Sequence, residues 1–436
     1  MESSALVSVY AMAENAKVPT VSRVSSDTLI ELVYDAGKRS TALIVSRFGG
    51  LWNAEQEVRI ETGEVLVPYA ASNNLIRSGC VLLPSAPEEY GSKAELVADI
   101  RAFLHRYVDL TPEFEAIAAY YVLLSWVHDR FGELGYLRLR GDYGTGKTRG
   151  LLAIGSLCYR PFFASGASTT SPIFNILDTF GGTLVLDEAD FPYSDARADL
   201  VKILNNGTVP GMPVLRTLQN RYKEYNPYAF SVFGPKLIAM RGSFRDVALE
   251  SRLITEETGT RPLRSDIPIQ LPKSLKEEAL SLRNRLLHFR LCEFFSVNPD
   301  TSALMKDAEP RLNQTASGLL SLVDDPAERQ RMQTDIAARH ADFETERRSA
   351  PDMAVLAATH AAFAARTSGP VPIGDIAELF NAKHRAAYGQ AMSNKWIGYM
   401  LRSRLNLEAR KSGGVYVLPA SERQRVESMA KRHGII

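Results

Sequence analysis

The chain has 436 residues, of which 45% are hydrophobic and 23% are charged, and its formal net charge is +1. Such values are typical of globular proteins and exclude a chain that is disordered throughout. The near-neutral charge provides no overall attraction to nucleic acids or membranes. At roughly 100–200 residues per domain, the length predicts two to four domains.

The cysteine spacing and the lack of a long apolar run predict the cellular compartment. Cys80, Cys158 and Cys292 are far apart and fit neither a zinc-site spacing nor a disulfide framework, so free thiols in a reducing compartment are expected. Residues 1–17 contain no basic segment followed by an apolar core, and the chain has no run of about 18 apolar residues. We therefore expect a cytoplasmic protein without a membrane segment.

Short strands are predicted in the first part of the chain, after the small and polar residues 1–25. Turn residues such as Gly49-Gly50 and Thr62-Gly63 separate these strands. The strands are Thr28–Tyr34, Thr41–Ser46, Glu57–Ile60 and Glu64–Pro68. They predict a small β-containing N-terminal domain over residues 1–90, in which we find no chemistry.

Helix and strand patterns alternate over residues 91–270. Lys93–Tyr107 and Glu113–Arg130 are helical in pattern, and Thr111 and Pro112 supply the N-cap and the first-turn proline of the second helix. Tyr136–Arg140 is extended and leads into a glycine-rich loop. This alternation predicts an α/β domain with a mostly parallel sheet.

The last third of the chain is mainly helical. Ser274–Val297 and Glu309–Glu346 predict a helical lid or linker over residues 271–350. Residues 351–436 carry a net charge of +6, which leaves −5 for the rest of the chain. Their predicted elements are the helices Asp352–Arg366, Ile373–Asn381 and Ser393–Arg404 and a hairpin of Leu405–Arg410 and Val415–Leu418. Three helices and a hairpin are the layout of a winged-helix domain, and its basic charge fits either an anionic partner or a solvated surface.

The glycine-rich loop matches the Walker A pattern, in which a strand is followed by GxxxxGK[ST] and a helix. Its glycines let backbone N–H groups wrap round phosphate oxygens at the helix N-terminus, and Lys147 adds a positive charge. The hydroxyl of Thr148 can ligate Mg²⁺. The sequence therefore predicts an ATP and Mg²⁺ site rather than an empty glycine-rich turn. Its predicted residues are Gly141, Asp142, Tyr143, Gly144, Thr145, Gly146, Lys147 and Thr148.

Two adjacent acids follow the apolar strand Thr183–Leu186. Open α/β sheets bind ligands at the carboxyl ends of their strands. Asp187 is therefore expected to hold Mg²⁺, and Glu188 to polarise the attacking water. The alternative is a pair of solvated carboxylates. Residues 187–190 also spell the DEAD-box motif, but the chain has no second ATPase lobe and no Ser-Ala-Thr element, so we regard this match as a coincidence.

A third motif follows the predicted strand Lys236–Met240, and it is the segment Ala248-Leu249-Glu250-Ser251-Arg252. Together with both Walker motifs, it resembles the AAA+ ATPases, in the branch that holds superfamily 3, MCM and mobile-element helicases. The resemblance is strong over Gly141–Arg252, about a quarter of the chain. It implies an ASCE-type P-loop core with a parallel sheet and a helical lid, and an ATP-dependent DNA helicase or translocase that forms a homo-hexamer.

The resemblance also implies roles for three arginines. Arg252 corresponds to the arginine finger that reaches the γ-phosphate on a neighbouring copy; alternatively it pairs with Glu250 or caps a helix. Arg241 takes the place of the sensor 1 residue, for which Ser243 is an alternative. Arg283 is our choice for sensor 2, and a solvated helix face is its alternative.

Two segments are candidates for DNA contacts. Val214–Leu218 and Tyr228–Phe233 predict a hairpin, which in the resembling helicases enters a central pore that holds single-stranded DNA. It would offer Arg216, Arg221 and Lys223 to phosphates and Tyr222 and Tyr225 for stacking, or it would be an exposed connector. In the C-terminal module, the candidates for duplex contacts are Lys395, Arg402 and Lys411. A protein-contact module is the alternative there.

Two functions therefore compete. The first is an oligomeric motor that moves DNA with these hairpins while it hydrolyses ATP between subunits. The second is an AAA+ regulatory switch that assembles on DNA or on a protein partner without unwinding.

Overall fold

The computed structural model describes residues 17–47, 50–189, 195–219, 223–244 and 246–436. Arg221 and Tyr222 of the predicted hairpin lie outside these residues. The chain divides into two compact units, the first ending at Ala337 and the second comprising Ala338–Ile436. The second unit begins before residue 351, because the end of a long helix belongs to it.

The N-terminal strands form two small sheets, of order β2-β3-β4-β5 and β1-β7-β6. Strand β3 is buried on both faces, since Leu29 and Val33 join one hydrophobic cluster while Ile30 and Leu32 join another. The four predicted strands are confirmed with small shifts at their ends. The elements are β1 (Lys17–Thr20), β2 (Ser22–Val24), β3 (Thr28–Asp35), β4 (Ser40–Arg47), β5 (Leu51–Glu55), β6 (Val58–Arg59), β7 (Val65–Pro68) and helix α1 (Asn74–Arg77).

A five-stranded parallel sheet forms the centre of the first unit, which confirms the predicted α/β character. Its order is β14-β8-β13-β10-β9, and every neighbouring pair is parallel. The carboxyl ends of all five strands therefore meet at one edge of the sheet. The strands of this region are β8 (Tyr136–Arg140), β9 (Phe162–Ala164), β10 (Leu184–Leu186), β11 (Val214–Gln219), β12 (Tyr225–Phe230), β13 (Lys236–Met240) and β14 (Leu253–Glu257).

Helices cover this sheet. Thr111 accepts a bond from the Phe114 amide at the start of α3, as its capping role predicted. The single helix predicted over residues 309–346 is wrong, because Pro326 lacks an N–H and starts a new helix there. The helices are α2 (Lys93–Tyr107), α3 (Pro112–Trp126), α4 (Lys147–Leu157), α5 (Thr170–Phe180), α6 (Asp195–Asn206), α7 (Val247–Glu250), α8 (Ser274–Glu293), α9 (Pro310–Leu320) and α10 (Pro326–Arg348).

A buried charge network joins segments that the sequence analysis assigned to separate domains. Arg290 of α8 donates to Glu31 of β3 at 2.8 Å and to both carboxylate oxygens of Asp129 at 2.8 and 2.7 Å. Arg160, which follows α4, also contacts Glu31. Burial by itself raises the pKa of Glu31, but Arg160 and Arg290 outweigh this effect and lower the pKa. The N-terminal sheet, the central sheet and α8 are thus held together inside one unit.

The second unit has its own hydrophobic core, which includes Leu356, Ile376, Ile397 and Leu418. Its antiparallel sheet has the order β15-β17-β16. The hairpin strand predicted from Leu405 begins only at Arg410, and a last helix was not predicted. The elements are α11 (Pro351–Ala364), β15 (Val371–Pro372), α12 (Ile373–His384), α13 (Asn394–Ser403), β16 (Arg410–Ser412), β17 (Val415–Leu418) and α14 (Arg423–Arg432). The winged-helix assignment stays a prediction.

Candidate functional site

The glycine-rich loop connects β8 to α4 at the carboxyl edge of the central sheet. Gly144 and Gly146 have φ angles of 78° and 87°, in the left-handed region that favours glycine. A Cβ atom at either position would contact nothing, so backbone conformation rather than space requires glycine there. The side chain of Tyr143, next to the exposed Asp142, is 89% exposed. The loop therefore presents backbone to solvent at the helix N-terminus.

The lysine and the threonine of the loop fold back onto it. Lys147 Nζ donates to the carbonyl oxygens of Gly141 and Asp142 at 2.7 and 2.6 Å. Thr145 Oγ1 donates to the Asp142 carbonyl at 2.8 Å and lies 2.8 Å from Thr258 Oγ1. Thr258 follows β14 and was not found from the sequence, since nothing in that segment resembles a motif. The ammonium of Lys147 is thus held over the loop, where it can meet an anion.

The two predicted metal ligands meet. Thr148, in the first turn of α4, donates from its Oγ1 to Asp187 Oδ2 at 2.7 Å. A hydroxyl and a carboxylate beside a phosphate loop fit Mg²⁺, which takes few protein ligands and completes its shell with phosphate oxygens and water. Among the described residues, no group of three or more His, Cys, Asp or Glu side chains could hold a metal by itself.

The second acid has an unusual backbone. Glu188 is exposed and has a φ of 54°, and its amide donates to Asp187 Oδ1 at 2.9 Å. The neighbouring amides of Asp187 and Ala189 bond to the carbonyls of Ala164 and Ala239, and so fix this turn between β9 and β13. Left-handed backbone at a residue other than glycine is costly, and it tends to persist at functional sites.

The proposed sensor position lies beside the loop. The amide of Gly141 donates to the carbonyl of Met240 at 3.4 Å, which puts the end of β13 next to the start of the loop. Arg241 follows directly and is exposed. Ser243, its alternative, accepts a bond from Arg140 at 2.7 Å. Both candidates are therefore at the correct edge of the sheet.

A cavity of about 450 Å³ opens beside the loop. Its walls come from Gly144–Gly146, from the segment 108–111 before α3, and from the irregular segment 258–269, which we call the strap. Leu263 and Ile269 of the strap line the cavity although they are 69% and 96% exposed. A cavity of this size with apolar walls next to a phosphate loop is suited to a nucleoside.

Arginines attach the strap to the end of α2 and to α4. Arg261 donates to Asp109 Oδ1 at 2.6 Å and to the Leu110 carbonyl. Arg149, which directly follows Thr148, donates to the Tyr107 carbonyl at 3.3 Å and to the Ile269 carbonyl at 2.6 Å. The sequence analysis missed the strap, because it has neither periodicity nor a motif. The one available signal was Arg149 itself, a cation in the first turn of a helix, where the dipole disfavours it.

Arg252 lies at the opposite edge of the sheet from the loop of its own chain. Its carbonyl accepts a bond from the amide of Tyr136, the first residue of β8, whereas the loop follows the last residue of that strand. Five residues at about 3.3 Å each separate the two by roughly 15 Å. The guanidinium donates to Asn205 Oδ1 at 2.7 Å. Glu250 does not pair with Arg252: its carboxylate accepts from the buried Arg138 at 2.7 Å.

Arg283, the predicted sensor 2 residue, does not lie beside the loop. Its side chain is buried, and Nη1 donates to the carbonyl of Ser156 at 2.7 Å. Ser156 lies near the carboxyl end of α4, whereas the loop precedes the amino end of that helix. Burial lowers the pKa of Arg283 to about 10. The residue therefore joins α8 to the end of α4 and does not reach the loop.

A hairpin of β11 and β12 is present, and its second strand starts at Tyr225, three residues before the predicted one. Arg216 is not free for phosphate contacts, because it donates to Asp199 of α6 at 2.7 Å. On the α5 side, Asp178 accepts bonds from Tyr228 Oη and from the Ser231 amide at 3.2 and 2.8 Å. Leu215, Lys223 and Tyr225 are exposed, and Arg221 lies outside the described residues. The hairpin is therefore braced near its base, and Leu215, Lys223 and Tyr225 are among its exposed side chains.

In the second unit, the predicted DNA-contacting residues Lys395, Arg402 and Lys411 are exposed. A groove of about 640 Å³ between α12, α13 and the β16–β17 turn is lined by Lys395, Arg402 and the half-exposed Tyr416. Cations and an aromatic ring along a groove suit a phosphate backbone. Lys411 lies on β16 rather than at the tip of the turn.

Comparisons with known proteins give weak similarity only. No protein-family model matches the chain, and no curated protein matches it in sequence. The apo C-terminal region of NrS-1 is 10% identical over 90% of this chain and 96% of that chain, with a TM-score of 0.37. SCCmec type IV Cch, described as an active helicase, is 12% identical over 94% and 96%, with a TM-score of 0.33. A full-length MCM homolog from Methanopyrus kandleri is 13% identical over 72% and 74%, with a TM-score of 0.37.

Similarity at this level does not indicate an activity. The activity of this chain has to be inferred from the geometry of the site. Among the described residues, no helix combines the length and the apolar character that a bilayer crossing requires.

Proposed function

We propose that this chain is an AAA+ ATPase that binds and hydrolyses ATP with Mg²⁺ and uses the hydrolysis to move along DNA as an oligomeric helicase or translocase. The observation that carries the ATPase part is the hydrogen bond between Thr148 and Asp187, 2.7 Å long, beside a loop of left-handed glycines. Two residues 39 positions apart in sequence meet beside the loop, which supports a shared role in holding a metal–phosphate complex.

The roles follow from the positions. Backbone amides of the loop and the ammonium of Lys147 bind the phosphates, and the strap cavity takes the nucleoside. Thr148 and Asp187 hold Mg²⁺, which when bound neutralises charge on the phosphate oxygens. Glu188 polarises the attacking water. Arg241 lies next to the loop and senses the terminal phosphate.

The arginine finger role is proposed in trans. Arg252 lies roughly 15 Å from the loop of its own chain, as estimated from the rise of β8. This separation is that of the Arg252 backbone, and its guanidinium donates to Asn205 Oδ1 at 2.7 Å. A second copy could instead present this guanidinium to a neighbouring site. Such a residue raises the hydrolysis rate by about 10³-fold or more. We therefore propose an oligomer with shared sites, of which the homo-hexamer is the specific form.

DNA binding rests on two surfaces. The exposed part of the β11–β12 hairpin, with Lys223 and Tyr225, is the candidate for single-stranded DNA. The groove with Lys395 and Arg402 and the adjacent strand with Lys411 are the candidates for a duplex, in a winged-helix arrangement. Arg216 supports the hairpin rather than binding phosphate, because its guanidinium is paired with Asp199.

The test is an ATPase assay with and without single-stranded DNA, combined with a mass measurement in the presence of ATP. We expect an oligomer whose turnover rises with DNA, and we expect Lys147→Ala to abolish nucleotide binding and turnover. Lys38→Ala, which removes an exposed lysine paired with Asp35, is the matched control and should leave both unchanged. ATP-dependent assembly with slow turnover that DNA does not stimulate would indicate the regulatory switch. Unchanged turnover in Lys147→Ala would refute the site itself.

A further inference from the structure

We propose that Lys236 is a positioning residue that closes the two roots of the β11–β12 hairpin and connects them to the strand that ends at the nucleotide site. The functional consequence of these contacts rests on the proposed function, in which the hairpin moves DNA. We call the contacts of the Lys236 ammonium with the two roots the clamp, and the clamp is argued from these contacts alone.

Lys236 is a charged side chain without any solvent exposure. It is the first residue of β13, and its relative exposure is 0%. Its Nζ donates to the carbonyl oxygens of Val232 and Gly234 at 2.9 Å each and of Gly207 at 3.5 Å. The ring of Tyr136 lies 4.9 Å away. A lysine is rarely buried in this way unless hydrogen-bond partners compensate for the lost hydration of its charge.

The three carbonyl partners belong to the two ends of one insertion. Gly207 follows α6 and precedes the hairpin, whereas Val232 and Gly234 follow it. The two roots also touch directly, because the amide of Gly234 donates to the carbonyl of Gly207 at 3.2 Å. One ammonium group therefore joins the incoming and the outgoing chain at the point where the hairpin leaves the core.

The same residue begins the strand that leads to the nucleotide. Leu237, Ile238, Ala239 and Met240 are at most 1% exposed, and Arg241 follows at the loop edge. The backbone of Lys236 is itself fixed, since its amide and its carbonyl both bond to Tyr121 Oη at 2.9 Å. A buried, extended strand of five residues is stiff, so a displacement at the nucleotide end is carried to the hairpin roots.

The experiment compares two ways of opening the clamp with one matched control. Lys236→Met keeps the length of the side chain and removes its donors. Gly207→Ala places a Cβ 2.3 Å from Lys236 Nζ and 2.5 Å from the Val232 carbonyl, which forces the ammonium away. Tyr136→Phe is the control, because it removes an equally buried bond, to the Leu204 carbonyl at 2.8 Å, but keeps the ring beside Lys236 and all three bonds of the ammonium.

Hydrogen exchange of the full chain tests the clamp without reference to DNA. Loss of bonds from a charged donor should speed exchange in β11 and β12 by roughly 10-fold or more, while β8 and β10 remain unchanged. We expect this in Lys236→Met and in Gly207→Ala, and not in Tyr136→Phe. Exchange in the hairpin that matches the wild type, or equal acceleration in all strands, would overturn the proposal.

ATPase measurements on the same variants test whether the clamp is needed for the stimulation of turnover by DNA. The expected result is basal turnover like that of the wild type with loss of the stimulation by single-stranded DNA. Basal and stimulated turnover that fall together would reduce Lys236 to a general stabilising residue. A wild type that DNA does not stimulate would refute the proposed motor, whereas the exchange result would still decide the clamp.

The wild-type protein supplies a check that does not depend on a folded variant. Burial lowers the pKa of Lys236 to about 7, so the ammonium loses a proton, and with it one of three donors, as the pH rises through neutrality. Tyr121, Tyr136 and His128 face it; burial raises both tyrosine pKa values and lowers that of His128, so all three stay neutral from pH 7 to 9. An open clamp exposes Lys236 and keeps its proton up to the ordinary pKa, so opening becomes less favourable as the pH rises through this range. Hairpin exchange, corrected for its intrinsic pH dependence, should therefore slow over this range, and constant protection would count against the clamp.

Discussion

Arg149 offers the sharpest test that separates the proposed phosphate site from the proposed nucleoside site. Its guanidinium joins α4 to the strap through the Ile269 carbonyl at 2.6 Å and to the end of α2 through the Tyr107 carbonyl at 3.3 Å. Arg149→Met removes both bonds and keeps an apolar side chain of similar length. The strap would keep its Arg261 attachment to Asp109 and lose its attachment to α4.

The magnitude follows from the stronger of the two bonds. A hydrogen bond from a charged donor contributes about 1.5–3 kcal/mol, and the lower value applies because Arg149 is half-buried. Since about 1.4 kcal/mol is tenfold in affinity, we expect the dissociation constant of ATP to rise roughly 10-fold. Tripolyphosphate has no nucleoside and should bind as it does to the wild type.

Isothermal titration with ATP and with tripolyphosphate, both with Mg²⁺, measures the two halves separately. The control is Arg106→Met. Arg106 lies near the end of α2, and the partner of its guanidinium is Glu278 rather than the strap. If Arg149→Met weakened both ligands by the same factor, Arg149 would act on the loop, and the strap would have no role of its own. If ATP affinity did not change, the cavity would not hold the nucleoside.

Three further outcomes are expected. Glu250→Gln leaves the buried charge of Arg138 unpaired and should lower the free energy of unfolding by about 3–5 kcal/mol in urea titration; a loss below about 1 kcal/mol would contradict this. The unfolded state holds the Lys236 proton up to its ordinary pKa, whereas the folded state releases it near pH 7. Stability should therefore rise with pH between these values, by up to about 1.4 kcal/mol per unit, and Lys236→Met should lack this slope. If Arg216 only braces the hairpin, Arg216→Ala and Asp199→Ala should weaken DNA binding equally, and a much larger effect of Arg216→Ala would restore its role as a phosphate contact.

Motif spacing was enough to name the residues of the phosphate site that we propose. The loop, Lys147, Thr148 and Asp187 could be assigned because each is tied to a local pattern of strand, turn and helix, and local patterns are readable along the chain. The cavity that we propose for the nucleoside could not be predicted. The strap is irregular, and its arginines acquire their partners at the end of α2 only when distant segments are brought together.

The arginines illustrate the same limit. Arg216, Arg252 and Arg283 were predicted as functional from position or resemblance, and a guanidinium in a sequence says nothing about its partner. In the structure, Arg216 pairs with Asp199, Arg283 is buried against the end of α4, and Arg252 lies far from its own loop. Only the tertiary structure shows which partner each arginine side chain has.

The amino-acid sequence alone determined three of the five strands of the central sheet, β8, β10 and β13, and the glycine-rich turn that follows β8, because periodicity and glycine conformation are local properties. The tertiary structure decided which residues meet: that Thr148 bonds Asp187, that the N-terminal sheet is joined to α8 through Glu31 and Arg290, and that Lys236 holds both roots of the hairpin. These pairings depend on strand order and on burial, since desolvation makes a charged group take the partner that the fold brings within reach.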